Sequence, residues 1–227
     1  MNLGIAEVSE IKIFFFLKTK ITNGKGSSSM ESNIYQAPES EILNTESTAK
    51  EFYVVSPKKF LVLYFGTMGL YLLYWFYKHW ALYKATHSEK MWPVMRSIFS
   101  IFFTHSLFEA FDLRVREVKS NFSWSPGGLA TTFVILSIID RISERMASNE
   151  VGSPLTDTMA FILMPMLGYV LYKAQLAANV GMGDHLGKAN TYLTAANYVW
   201  LLIGGALWLI VILSLYMIIM GVPEFLQ

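Results

Sequence analysis

Long apolar stretches alternate with short polar segments from residue 58 onwards, and this pattern predicts a bundle of membrane helices. A helix rises about 1.5 Å per residue, so crossing a hydrocarbon core of about 30 Å takes about 20 apolar residues. The apolar stretches cover residues 60–77, 129–139, 155–172 and 199–222. We therefore predict an all-α integral membrane bundle with about four hydrophobic helices plus one interfacial or packed amphipathic helix.

Two of these stretches contain no charged residue and are long enough to cross a bilayer. Residues 60–77 lie between Lys59 and Lys78, and tyrosine and tryptophan crowd their C-terminal end, where such rings favour the headgroup layer. Residues 199–222 form the longer uncharged stretch, and Gly204 begins a run of small residues that suits close helix contact. We expect both stretches to form spans.

The other two stretches are less regular. Residues 129–139 are strongly apolar but fall short of the roughly 17 residues that a span needs. This helix is expected either to cross a thinned bilayer or to enter it only partway. Residues 155–172 are long enough, but they contain Pro165. Proline removes a backbone donor inside a helix, so we predict a kink at Pro165.

Residues 94–113 mix apolar and ionisable side chains. On a helical wheel His105, Glu109 and Asp112 share one side, whereas Arg96 lies on another. Such a helix is neither a clean lipid-facing span nor a clean surface helix. We expect it to lie at the membrane interface or to pack among the spans, and a full crossing is the alternative.

These four ionisable residues are the candidate functional polar cluster. A buried acid–imidazole pair such as His105 with Glu109 can relay protons or hold a metal. The zinc-protease pattern needs a second helical histidine at fixed spacing, and the segment lacks one. Pairing with nearby arginines or with lipid headgroups is the more common arrangement, and we favour it. The sequence therefore predicts no catalytic, cofactor-binding or metal-binding residue.

Four side-chain amides lie near the ends of the last two stretches. Gln175 and Asn179 share a helix face, and Asn190 and Asn197 flank the final linker. Such amides can line a polar site, but they more often join helix ends by hydrogen bonds. We expect the hydrogen-bonding role.

Residues 1–57 are mostly polar and predict a disordered N-terminal tail, because such a composition can bury little apolar surface. A flexible glycine- and serine-rich string covers residues 23–29 and ends just before Met30. We expect either that Met30 is the true start, with residues 1–29 coming from an overlong gene prediction, or that the tail is real. The helical membrane domain is predicted over residues 58–227.

Composition narrows the classes of partner. Hydrophobic residues make up 53% of the chain and charged residues only 15%, against about 25% charged in soluble domains. The lipid bilayer is therefore the expected partner. The net charge of +1 gives no basic field for nucleic acid. The absence of cysteine excludes disulfides, thiolate metal sites and cysteine nucleophiles.

Short signature-like strings carry a family resemblance. They are Asn33-Ile34-Tyr35-Gln36-Ala37-Pro38, Tyr74-Trp75-Phe76-Tyr77, Trp92-Pro93-Val94-Met95-Arg96 and Asn197-Tyr198-Val199-Trp200. Over roughly residues 30–222 the chain resembles a family of small, uncharacterised bacterial multi-pass inner-membrane proteins. Their opening reads Asn-Pro-Tyr-x-x-Pro, and Ile34 replaces its proline here. The resemblance implies location in the bacterial inner membrane and implies no activity.

Lysine and arginine are concentrated between the first two spans. Such residues prefer the cytoplasmic side, so residues 78–119 are expected to be cytoplasmic if residues 94–113 do not cross. The N-terminal tail would then lie outside, and so would the C-terminus after four crossings.

The expected role is interaction with other proteins or support of the cell envelope, without enzymatic activity and without a cofactor. Other membrane proteins or further copies of the chain are the expected protein partners. The alternative is a transporter or channel component with the polar helix 94–113 in its pathway. A membrane enzyme that gathers His105, Glu109 and Asp112 around a cavity is a third hypothesis.

Overall fold

The computed structural model describes residues 50–220, with side chains through residue 217. This part of the chain is all-α, as predicted, and contains no strand. Its seven α-helices are α1 Pro57–Gly66, α2 Tyr71–His87, α3 Pro93–Ile98, α4 Ser100–Glu117, α5 Pro126–Ala147, α6 Leu155–Gly181 and α7 Ala195–Met220. A short 3₁₀-helix, η1, covers Lys188–Asn190.

The predicted first span is broken in the middle, so a single helix over residues 60–77 is wrong. Met68 and Gly69 adopt left-handed backbone conformations, with φ of 50° and 82°, and these stop α1. The buried Thr67 hydroxyl donates to the Leu63 carbonyl at 2.7 Å and accepts from the Tyr71 N–H at 3.0 Å. This side chain satisfies backbone groups on both sides of the break, so the break can lie in the interior.

After the break, α2 returns toward the start of α1. The Phe52 and Tyr83 rings stack with centroids 5.9 Å apart, and a Glu51 carboxylate oxygen lies 3.5 Å from His87 Nε2. Residues just before α1 therefore lie beside the end of α2. The expectation that the N-terminal segment and residues 78–119 face opposite sides is wrong, because α1 and α2 form a helical hairpin.

The segment before α1 is part of the core. The sequence predicts it instead as the end of a disordered tail. Residues 51–56, which we call the strap, run extended along the bundle, and Phe52 and Val55 are fully buried. Ser56 begins α1 by accepting from the Lys59 N–H at 3.3 Å, and Pro57 follows at the first helical position, where proline is well tolerated. The predictions for residues 1–49 lie outside the described residues.

The middle of the chain forms three helices of unequal length. The predicted helix 94–113 is divided at Phe99 into α3 and α4, and α4 packs against α5 and α6. Helix α5 is longer than its apolar stretch, because it continues through the polar residues 140–147. Helix α6 also extends beyond the predicted span, and it continues through Pro165. The kink at Pro165 stays a prediction.

Among the described residues, two helices, α6 and α7, are long and apolar enough to cross a membrane. The predicted bundle of about four spans is therefore not confirmed. Helix α7 packs on α1 through small residues: a Cβ added to Gly204 would lie 2.1 Å from the Gly66 carbonyl oxygen. Trp208 Nε1 donates to the Phe65 carbonyl at 2.8 Å, near the end of α1, where this carbonyl also accepts from the Met68 N–H at 3.2 Å.

Candidate functional site

The polar interior of the protein is built around the strap. Side chains from α2, α6 and η1 converge on its backbone, although those helices are far apart in the sequence. An extended segment without a neighbouring strand exposes its N–H and C=O groups, and a buried group of this kind needs a partner. In this protein, histidine and amide side chains supply those partners.

Asn179 and Gln175 hold the middle of the strap. Asn179 binds Val55 twice: its Oδ1 accepts from the Val55 N–H at 3.3 Å and its Nδ2 donates to the Val55 carbonyl at 2.9 Å. Gln175 Nε2 donates to the Tyr53 carbonyl at 3.0 Å and to Asn179 Oδ1 at 2.8 Å. Gln175 Oε1 accepts from Trp75 Nε1. Both amides are fully buried.

His79 on α2 holds the strap from the other side. Its Nδ1 accepts from the Tyr53 N–H at 3.3 Å, which places the ring proton on Nε2. The ring packs against Trp75 and Phe111, with centroids 4.4 and 4.7 Å away. Nε2 is buried and has no hydrogen-bond partner among residues 50–217. Burial lowers the pKa of His79 to about 3, so the imidazole is neutral at physiological pH.

This neutral histidine predicts an acid-sensitive fold. In the unfolded chain His79 has its ordinary pKa of about 6.5, whereas in the folded protein it takes up a proton only near pH 3. The stabilisation is therefore complete above about pH 6.5 and is lost as pH falls toward 3. We expect the free energy of unfolding in detergent to fall less steeply between about pH 6.5 and pH 3 in His79→Gln than in the parent protein. His105→Gln changes an exposed histidine and should follow the parent protein; identical profiles for all three would contradict the assignment.

The C-terminal end of the strap is fixed by η1 and Lys59. Asn190 Nδ2 donates to the Val54 carbonyl at 3.0 Å and to the Tyr53 hydroxyl at 3.0 Å. Lys59 Nζ donates to Asn190 Oδ1 at 2.7 Å and to the Tyr192 carbonyl at 2.6 Å. Burial lowers the pKa of Lys59. These bonds connect the start of α1 to the linker that precedes α7.

Ionic contacts fix the N-terminal end of the strap. Glu51 lies between His87 at 3.5 Å and Arg114 at 3.6 Å, and Arg114 also pairs with Glu117 at 2.7 Å. Burial raises the pKa of the Glu51 carboxyl, and the neighbouring His87 and Arg114 side chains oppose that effect. The Arg114 side chain lies against Gly181, where an added Cβ would come within 3.0 Å of it. The ends of α2, α4 and α6 therefore meet at Glu51.

The predicted polar cluster, three residues of α4 and Arg96 of α3, is dispersed among separate partners. His105 Nε2 lies 3.1 Å from the Thr131 hydroxyl of α5, and Glu109 is exposed. Asp112 accepts from Arg116 at 2.7 Å and from Trp124 Nε1 at 2.9 Å. The guanidinium of Arg96 lies 4.4 Å from the Trp80 ring centroid and 5.1 Å from that of Phe103. A shared functional role for the four residues stays a prediction.

Chemically, the strap network positions the chain. No group of three or more potential metal ligands occurs among the described residues. A half-open cleft of about 180 Å³ lies beside the strap and is lined by Lys50, Phe52, Tyr53, Val54, Leu82, Ala189 and Asn190. The arrangement is suited to holding the strap in the bundle.

The amides Gln175, Asn179 and Asn190 act as the sequence predicts, because they form hydrogen bonds between elements. Asn197 forms a local hydrogen bond instead: its Oδ1 accepts from the Thr194 N–H at 3.0 Å at the start of α7. The missed residues are His79 and the strap itself. The available signal was Phe52-Tyr53-Val54-Val55, a short run of large apolar residues at the end of the polar tail.

No protein-family model, curated protein or solved structure matches the chain. The resemblance to bacterial multi-pass inner-membrane proteins therefore stays a prediction.

Proposed function

We propose that this chain is a multi-pass protein of the bacterial inner membrane whose role is to bind another membrane protein or to support the envelope. The observation that carries the proposal is the exposure of α7. This helix has no charged residue from Ala195 to Met220, and its length of about 39 Å exceeds a hydrocarbon core of about 30 Å.

Large apolar side chains point outward around most of α7. The exposed fractions are 74% for Leu202, 60% for Ile210 and 57% for Ile212. Keeping apolar surface in water costs about 25 cal/mol per Å², so a helix of this kind needs lipid or another protein around it. The core helix of a soluble protein would be mostly buried, and neither α6 nor α7 is.

The contact of α7 with the rest of the protein supports a binding role. Helix α7 touches α1 along one narrow strip that includes Leu201, Gly204 and Trp208. The rest of its circumference is available to lipid or to a second membrane protein. The polar interior, in contrast, is occupied by the strap network, which supports a structural use of those side chains.

Photo-crosslinking in native membranes tests the binding role. We expect a photoreactive residue at Ile212, which is exposed, to give a discrete protein adduct, because this face would lie against its partner. The matched control is Leu171, which is fully buried and should react only within the chain. An adduct of twice the chain mass would identify a second copy as the partner. Adducts with lipid alone at Ile212 would contradict the binding role.

A further inference from the structure

Charged residues are distributed unevenly between the two ends of the bundle. The basic end is the end where the strap meets the C-terminal ends of α2, α4 and α6, as shown by the contacts of Glu51 with His87 and Arg114. Nine of the fourteen lysines and arginines in residues 50–217 lie on this side: Lys50, Lys58, Lys59, Lys84, Lys90, Arg114, Arg116, Lys119 and Lys188. Five carboxylates accompany them: Glu51, Glu89, Asp112, Glu117 and Asp184.

The opposite end is acidic. Helix α6 ends at Gly181 beside Arg114 and is 27 residues long, so its first residue lies about 40 Å away. Helix α5 packs along α6 and is joined to it by residues 148–154 at that distant end. The charged residues there are Asp140, Arg141, Glu144, Arg145, Glu150 and Asp157. Carboxylates outnumber arginines in this group.

Two lysine–tyrosine pairs lie near the basic end of the bundle, one on α6 and one on α2. Lys173 Nζ lies 5.8 Å from the Tyr169 ring centroid on α6, and Lys78 Nζ lies 5.8 Å from that of Tyr74 on α2. Trp200 is exposed near the start of α7. Aromatic rings favour the headgroup layer, and a long lysine side chain can direct its charge out of the hydrocarbon into that layer. Both features are expected where the bundle leaves a membrane.

We propose that the basic end faces the cytoplasm and that its lysines bind the anionic headgroups of the cytoplasmic leaflet. The inference rests on the proposed insertion of α6 and α7 into the membrane. Positively charged segments near span ends are retained on the cytoplasmic side, and the anionic lipids of that leaflet attract nearby lysines.

Six lysines of the basic end are exposed and form no ion pair with any residue between 50 and 217. They are Lys50, Lys58, Lys84, Lys90, Lys119 and Lys188. The salt bridges at this end are formed by His87, Arg114 and Arg116. The positive charges of these exposed lysines are therefore available to attract the negatively charged phosphates of lipids.

Cysteine labelling tests the orientation, and the absence of native cysteine makes single substitutions unambiguous. Ala85→Cys places a thiol at the basic end and Asn149→Cys places one at the acidic end, and both positions are exposed. With a membrane-impermeant maleimide on spheroplasts, we expect Asn149→Cys to react directly and Ala85→Cys to react only after the membrane is permeabilised. The reverse pattern, or reaction of both variants from one side, would overturn the inference.

The same samples separate this inference from the proposed function. Each variant is first floated with alkali-washed membranes. Failure to float would count against membrane insertion itself, whereas floating with the reversed labelling pattern would overturn only the orientation.

Lipid dependence tests the headgroup contact. In nanodiscs we expect phosphatidylglycerol to raise the thermal midpoint of the protein relative to phosphatidylcholine. Combined Lys58→Gln, Lys84→Gln and Lys90→Gln should reduce this shift markedly, because the neutral amide cannot attract the lipid phosphate. Combined Arg141→Gln and Arg145→Gln at the acidic end should retain it. Equal shifts for both sets of variants, or no shift in the parent protein, would overturn the proposed headgroup contact.

Discussion

Asn179→Ala is expected to destabilise the folded protein by about 4 kcal/mol, because two buried backbone groups lose their partners and each such loss costs about 1–3 kcal/mol. The groups are the N–H and C=O of Val55, both bound by Asn179. Gln175 also loses one of its acceptors. Water cannot readily replace these bonds, since Val55 is fully buried. Denaturant unfolding in mild detergent measures the loss.

A released strap should also become accessible to protease. Trypsin is expected to cut after Lys58 much faster in Asn179→Ala than in the parent protein, because the preceding residues no longer hold the start of α1. The matched control is Asn149→Ala, which removes an exposed amide bonded to the Arg145 carbonyl and should change stability by less than about 0.5 kcal/mol. Equal stability of the two variants would show that the strap network contributes little.

The second large effect is expected at Gly204 of α7. A Cβ at position 204 would lie 2.1 Å from the Gly66 carbonyl oxygen and 2.5 Å from Thr67 Cα. These are backbone atoms that cannot rotate away, so Gly204→Ala must push α7 off α1 and stretch the Trp208 hydrogen bond. We expect a loss of about 3 kcal/mol, which combines overpacking with the weakened hydrogen bond. Thermal unfolding in detergent checks this value.

Gly205→Ala is the matched control, because a Cβ there meets no atom within 4 Å. The two variants change the same residue type at adjacent positions of one helix. Gly205→Ala should be neutral or more stable by up to about 1 kcal/mol, since alanine favours helix more than glycine. If Gly204→Ala proved as stable as Gly205→Ala, the close packing of α7 on α1 would be wrong.

The sequence predicts the last two helices well. Residues 155–172 and 199–222 lie largely within α6 and α7, because a long uncharged stretch has few ways to satisfy its backbone other than as a helix. The first hairpin could not be predicted in the same way. Residues 60–77 are apolar on all sides, so their periodicity does not reveal the break, which depends on Met68 and Gly69 adopting left-handed conformations.

The strap is harder to predict, because its hydrogen bonds use backbone atoms. Any residue carries an N–H and a C=O, so the identities of Tyr53 and Val55 do not reveal that Gln175 and Asn179 bind them. The sequence does indicate that these amides share a helix face. It cannot indicate which segment they bind, since that segment is more than 120 residues away.

The spacing of the α4 cluster illustrates the opposite limitation. His105, Glu109 and Asp112 do occur along one helix, but helical spacing alone does not show what faces them. Their partners come from α5, from the next turn of α4 and from the connection before α5. A local pattern identifies a helix face, whereas a functional site also depends on residues from elsewhere in the chain.

Flotation of alkali-washed membranes tests the central claim, that α6 and α7 are inserted in the lipid bilayer. High pH strips peripheral proteins from membranes but does not extract a helix that is inserted in the bilayer. The chain is predicted to rise with the lipid in a sucrose gradient after this treatment. Recovery as a monodisperse protein in the soluble fraction, without detergent, would contradict the account.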